Sequence, residues 1–530
     1  DPTERSLGSL PRLYQKYIGH DNNRDFFAST QPETENMNRV LYHEWFPQIL
    51  YNHHQSGPAG TILWSPPLRD PFNYNQDPLL VLGLQTVGLA LHTRLAAEGK
   101  PGATMRSGGP YDGWWNGGIR NTAAFHNTIA ILTEMIGSPT PMRVPLVMER
   151  QLPSSDLTFP VPPQEWRFRQ SIDYSVACNR GILDVASRMK ENFLFNRYVM
   201  GRNSITRGSQ DSWTPRPHRY ADVVREVTGG RGGGTPQRDA ELWAALRKPE
   251  YRDPRGYILS SAQKDFPTAI TFVNALREVG IKVHRATAAF AAAGKTYPAG
   301  SLVVMTNQAF RPHVLDMFEP QDHPDNIPYP GAPPTPPYDH AGWTLAFQMG
   351  IEFDRMLNGF SGPFDEVTDW NIAMPRGTMP APASAGYLLS RDVLNTFAAV
   401  NQLVAKGGAG VSVTTAPMTV EGQVFPAGTF HVAESRRADL PEILGPLGVQ
   451  AVPLGQRASG LAPVRAPRVG LWDQYGGSMP AGWTRWILEQ SSFAFTRVFA
   501  PRLDAGNLNA DFDVLVFVTG AIPGPGGGGR

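Results

Sequence analysis

GYILSSAQKDFPTAITFVNALREVGIKVHRA (256–286) decides the fold class. GYILSS (256–261) reads as strand, TAITFVNALREVG (268–280) as helix and IKVHRA (281–286) as strand again. Strands separated by a helix of this length argue for a parallel βαβ unit. The alternation continues with strands at SLVVMT (301–306), RVGLWDQ (468–474) and FDVLVFV (512–518), and a helix at GWTRWILEQS (482–491). The expectation for residues 251–530 is an α/β region. It should hold one parallel-stranded sheet with helices on both faces and strands 256–261, 468–474 and 512–518 at its centre. PYPGAPPTPPYDH (328–340) interrupts this region as a Pro-rich loop, and no short-period repeat is evident.

Working back towards the start, residues 151–250 open Pro-rich. They then form a long helix at 165–201 and a flexible connector at GGRGGGTPQ (229–237). Residues 1–150 hold most of the His and polar clusters. NMNRVLYHEWFPQILY (36–51) reads as helix running into a short buried strand. DPLLVLGLQTVGLALHTRLAAEG (77–99) has apolar residues at helical spacing and stops at Gly99 before Pro101. FHNTIAILTEM (125–135) reads as a buried strand. Three domains are expected, at 1–150, 151–250 and 251–530.

Composition narrows the function classes. Hydrophobic residues make up 41 % of the 530, enough for packed cores. Lys plus Arg (48) balances Asp plus Glu (47), so no strong field points to nucleic acid or an anionic membrane. One cysteine, Cys178, excludes an intrachain disulfide and a cysteine zinc cluster. No apolar run reaches the roughly 18–20 residues of a bilayer span. The first residues, DPTERSLG, and the last, GPGGGGR, read as cuts, so a signal peptide would not be visible.

Four segments could carry chemistry. In GHDNNRDFF (19–27), the guanidinium of Arg24 can fork onto a substrate carboxylate and the amide of Asn23 can add a donor. A surface turn with a local salt bridge is the bland alternative. In YNHHQSGPAG (51–60), an imidazole at a strand end suits a metal ligand. Neighbouring His residues point to opposite sides of a strand, so one of His53 and His54 can ligate and the other cannot. A structural histidine is the alternative. Glu134, in ILTEM, is a carboxylate at the end of an apolar strand, where burial raises its pKa towards that of a general base. A solvent-exposed strand end is the other reading. YDGWWNGG (111–118) is a Gly-rich aromatic loop, suited either to closing over a substrate or to plain packing.

The order and spacing of these segments resemble the zinc carboxypeptidase family of carboxypeptidase A type, over about the first 150 residues. GHDNNRDFF and YNHHQSGPAG look closest to a bacterial, exported branch. The resemblance implies that Asn23 and Arg24 hold the C-terminal carboxylate of a peptide substrate. It makes His54 the third Zn2+ ligand, with His53 as runner-up, Glu134 the general base and Tyr111 the loop tyrosine. Arg5 or Arg12 would help at the oxyanion. The implied fold is α/β: a partial zinc carboxypeptidase-like α/β/α domain, then a flavodoxin-like, class I glutamine amidotransferase-like region. The partner is a peptide with a free C-terminal carboxylate, with no nucleic acid and no membrane span.

The chain departs from the family in one respect. No His-x-x-Glu zinc motif precedes Asn23, so the expectation is an N-terminally truncated member whose complete form binds Zn2+. The one His-x-x-Glu present, His431–Glu434 in GTFHVAES, lies far too late. Cys178 falls in a helix outside the last region, which is therefore expected to be catalytically silent. A peptide- or glycan-binding module that has lost catalysis is the alternative, as is an amidase or deacylase with the same site.

Overall fold

The computed structural model describes residues 21–229, 234–376, 381–475 and 477–522. It shows a mixed α/β protein in two compact units. One is Asn23–Ser261 with Ala275–Trp370; the other is built on Ala262–Asn274 and Asn371–Arg530. The division differs from the expected boundaries at 150 and 250. The helical stretch 151–250 belongs to the same unit as the residues before it.

In the first unit, helix α1 (Pro32–Arg39) runs through a π-turn into strand β1 (Ile49–His54). Strand β2 (Leu63–Trp64), helix α2 (Pro78–Ala97), strand β3 (Ala103–Thr104), helix α3 (Ile119–Phe125) and strand β4 (Ile129–Met135) follow. The sheet order is β1-β4-β2-β3. Strand β1 pairs parallel with β4, whereas β2 runs antiparallel to β4. Strand β4 is buried along its whole length, as its β-branched, apolar sequence requires.

Helix α2 starts where Asp77 caps Leu79 N–H at 3.0 Å and Pro78 presets the first turn. It ends before Gly99, whose φ of +68° suits glycine. Leu84, Val87, Leu91 and Leu95 lie in the core under the sheet. Each such side chain stabilises the fold by about 1.5–3 kcal/mol. By length and hydropathy alone, α2 is sufficient to cross a bilayer. Here its inner face is packed in the core.

A hairpin of β5 (Met142–Val144) and β6 (Gln164–Trp166) leads to helices α4 (Phe168–Arg188) and α5 (Lys190–Ser209). The single helix expected at 165–201 is thus two, because Met189 leaves helical geometry (φ −109°, ψ 19°). Helices α6 (Pro217–Thr228) and α7 (Pro236–Leu246) flank the glycine-rich connector, of which 230–233 lie outside the described residues.

The remaining strands correct the expected parallel sheet. Strand β7 (Gly256–Leu259), helix α8 (Phe266–Glu278), strand β8 (His284–Ala286), a hairpin of β9 (Phe290–Ala292) and β10 (Lys295–Tyr297), strand β11 (Leu302–Met305) and helix α9 (Arg311–Phe318) follow in order. After a short helix α10 (Leu345–Gln348) come β12 (Asp354–Met356) and β13 (Phe364–Glu366). The five-stranded order is β12-β7-β11-β8-β13, and every pair is antiparallel. The crossover does leave β7 and β8 pointing the same way. Strand β11 returns from the hairpin and fills the slot between them.

The second unit repeats this plan. Strand β14 (Tyr387–Leu389), helix α11 (Asn395–Ala405), strand β15 (Val411–Thr414), a hairpin of β16 (Met418–Val420) and β17 (Gln423–Phe425), strand β18 (Phe430–Val432), helix α12 (Leu440–Leu447), β19 (Ala451–Pro453) and β20 (Leu461–Pro463) follow in order. The sheet order is β19-β14-β18-β15-β20, again antiparallel throughout. GYILS (256–260) matches GYLLS (386–390), and PAGS (298–301) matches PAGT (426–429). Both hairpins turn on paired positive φ values, at Ala293–Gly294 (47° and 78°) and Glu421–Gly422 (49° and 82°). Ser301 and Thr429 each donate a hydroxyl hydrogen bond of 2.8 Å to the proline carbonyl before them. The two regions are an internal duplication.

Among the described residues after 250, parallel pairing appears only in the last sheet. Strand β21 (Val469–Trp472) lies between β22 (Phe495–Val498) and β23 (Val514–Val516), with helix α13 (Met479–Gln490) as the crossover.

A buried imidazole pair in the first unit sets a pH dependence. His126 and His313 are fully buried with ring centroids 4.6 Å apart, and His126 stacks on Tyr42. Burial pulls His126 down to about 3 and His313 well below its ordinary value, with Arg197 and His43 adding to the pull on His126. A depressed folded value means the unfolded chain binds more protons once pH drops below about 6.5. Stability is therefore complete above that pH and should fall by roughly 1.4 kcal/mol per pH unit per histidine below it. Urea titrations at pH 7.5 and 5.5 should show the loss, and His313→Gln should reduce it to the share of His126. An unchanged slope in that variant would contradict this origin.

Candidate functional site

Asn23 and Arg24 end a single 3-10 turn, Asn22–Arg24. The turn is fixed by Asp25, fully buried, whose carboxylate accepts from Thr30 N–H and Oγ, Gln31 N–H and Thr34 Oγ. Asn23 Oδ1 accepts the Ile119 N–H at 3.0 Å at the start of α3. Arg24 Nε donates to Asp339 Oδ2 at 2.7 Å, and its guanidinium lies 5.0 Å from the Trp115 ring and 6.0 Å from Tyr338. Burial raises the Asp339 carboxyl, but the Ala341 N–H and the Arg24 guanidinium outweigh it and hold the group below its usual range.

His54 and Glu134 are direct register partners at the C-terminal ends of β1 and β4. Partners in a parallel pair share a sheet face, so His54, not His53, lies on the side of Glu134. His53 is exposed on the other face, its ring tilted against Tyr51 at 3.9 Å with Nε2 at 3.3 Å from Asn179 Oδ1. Glu134 is only 4 % exposed. Its Oε2 accepts the Ser56 N–H at 3.0 Å and the Ser56 hydroxyl at 2.6 Å, which offsets the cost of burial.

Tyr111 joins the two halves. Its ring packs between Trp64 (4.5 Å) and Tyr338 (4.8 Å), and its hydroxyl faces Glu134 and Ser56. Burial, then the Glu134 carboxylate, pushes the phenol well above its ordinary value, so it stays a proton donor. Residues 111–118 are buried throughout. Asp112, fully buried, takes the Tyr338 N–H at 2.8 Å and pairs with Arg69 at 3.0 Å. The aromatic loop is therefore a packed wall and not a mobile cover.

Contacts thus run unbroken from Arg24 through Tyr338 and Tyr111 to Glu134 and, across the strand pair, to His54. Ser56, Tyr338, Asp339 and Arg120 also belong to this cluster, and no sequence motif marks them. Arg120 is buried, with its guanidinium 5.8 Å from the Tyr338 ring. Tyr338 and Asp339 sit in the Pro-rich loop, some 200 residues from Tyr111, where no spacing links them. Arg5, Arg12 and His20 lie outside the described residues.

Metal donors are sparse. Among the described residues no three His, Cys, Asp or Glu side chains are grouped to hold an ion. A catalytic zinc takes three protein ligands. His54 offers one imidazole, so these residues alone do not complete a zinc site.

The other motifs are structural. His431 Nε2 lies 2.9 Å from the Ala385 carbonyl, and Glu434 accepts from Ala383 N–H and the Tyr387 hydroxyl. Cys178 is buried in α4, and burial pushes its thiol up to about 12, far from a thiolate nucleophile.

No protein-family profile, curated protein or solved structure matches the chain.

Proposed function

We propose that the first unit carries the substrate-anchoring and proton-transfer part of a carboxypeptidase-type site acting on peptides with a free C-terminal carboxylate. The observation that carries this reading is the joining of Arg24, Tyr111 and Glu134 by one series of contacts ending beside His54. In this reading Arg24 and Asn23 take the substrate carboxylate, and the substrate displaces Asp339 from Arg24. Glu134 accepts a proton from the attacking water and returns it to the leaving amine. Tyr111 donates a hydrogen bond at the same end of the cleft. Zn2+ is the ion implied, with His54 as one ligand; the described residues do not complete its shell, and no step is assigned to it. An exported setting belongs to the same proposal. A specific flavodoxin-like role for the last region is not part of it, since its two large sheets are antiparallel.

The test is mass spectrometry of a defined peptide and its C-terminally amidated twin incubated with the protein. Stepwise loss of C-terminal residues from the free acid alone, stopped by a chelator, is expected. Equal cleavage of both would move the assignment to an amidase or deacylase. Binding of the free acid without cleavage would favour a peptide-binding module, a reading that the Arg24–Asp339 pair and the lone imidazole already suit.

A further inference from the structure

A cleft of about 1160 Å³ opens beside the cluster, with Ser56, Tyr111 and Tyr338 in its wall. Three guanidinium groups line it, those of Arg69, Arg106 and Arg150, against one carboxylate, Asp70. The three differ in how fully they are used. Arg69 is committed to Asp112, at 3.0 Å, and to the carbonyls of Pro110 and Pro336. Arg106 donates to the Ser155 carbonyl at 3.1 Å and lies 3.8 Å from Asp156, with its side chain 42 % exposed. Arg150 has a single long bond, 3.4 Å to the Gly108 carbonyl. Its second terminal nitrogen is buried with no hydrogen-bond partner among the described residues.

That nitrogen is closed off, but the side chain as a whole is only partly buried and lines the cleft, so the weakly held guanidinium can take an acceptor there. A carboxylate is the acceptor whose geometry matches the fork of an arginine. The Arg106–Gly109 turn, which carries Arg106 and offers the Gly108 carbonyl to Arg150, is held tightly. A Cβ on Gly108 would meet Thr104 Oγ1 at 2.0 Å, and Trp64 Nε1 donates to the Arg106 carbonyl at 3.2 Å.

We infer that this cleft binds acidic side chains on the peptide segment N-terminal to the scissile bond. The direction rests on the carboxypeptidase reading above. Arg24 holds the C-terminal end on one side of the Tyr111–Tyr338 pair, and the rest of the peptide passes those rings into the arginine-lined cleft.

Calorimetry with synthetic peptides tests it. All have free C-termini and differ only in carrying Glu or Gln at the positions preceding the last residue. The Glu series is expected to bind the native protein roughly tenfold or more tightly, with a strong salt dependence. Arg150→Met should bring the two series together, and Arg150→Lys should keep part of the preference. If Glu and Gln peptides bind equally while amidation still weakens both, the acidic subsite is wrong and the carboxypeptidase reading stands. If amidation has no effect either, both fall together.

Discussion

Glu134→Gln is expected to lower turnover by about 10²–10⁴-fold, the usual contribution of a general base. The loss should be chemical and not structural. Both hydrogen bonds from Ser56 run to one oxygen, Oε2, and the carbonyl of a glutamine can accept them in the same place. What it cannot do is take a proton. The two bonds lose their charge assistance, so a stability loss of about 1–2 kcal/mol is expected, read as a small drop in Tm. His54 lies beside Glu134 on β1 and keeps its backbone pairing in either case. Initial rates and melting curves measured together check the claim. A variant that retains more than a tenth of the activity would remove Glu134 from proton transfer.

Arg24→Ala is expected to act on binding, selectively. A substrate carboxylate would replace Asp339 on the guanidinium, one charge-assisted pair for another. Losing such a pair costs about 1.5–3 kcal/mol, or roughly 10–100-fold in kcat/KM, carried by KM for substrates with a free C-terminus. Amidated substrates should change little. Asp339→Asn gives the opposite sign. It weakens the internal competitor and should lower KM for the free acid. Loss of activity on both substrates in Arg24→Ala would point instead to collapse of the Trp115–Tyr338 wall.

The parts of this picture that are local in the chain were readable from it. The apolar spacing of 77–99 with its capping Asp and closing Gly marked α2, and the β-branched run at 129–135 marked β4. The ends of β1 and β4 set His54 and Glu134 at strand termini, although their register could not be read. Face alternation puts His53 and His54 on opposite faces, and the pairing with β4 puts His54 on the face of Glu134. Sheet direction was not readable. The strand–helix–strand pattern at 256–286 is satisfied by β7 and β8 lying parallel, whether or not another strand enters between them. The insertion of β11 depends on the hairpin at 290–297, whose two short strands carry little periodicity. The duplication is faint in the sequence because its likeness rests on brief matches, GYILS with GYLLS and PAGS with PAGT, separated by variable loops. Asp339 was invisible as a partner of Arg24 because it arrives on a Pro-rich loop more than 300 residues later.

The central claim is that Arg24 recognises a peptide's terminal carboxylate, and the most direct measurement is equilibrium binding of one peptide as its free acid and as its amide. The account predicts that the native protein binds the free acid at least tenfold more tightly. It also predicts that Asp339→Asn widens the gap and Arg24→Ala closes it. Equal affinity for the two forms in the native protein, unaltered in either variant, would contradict it.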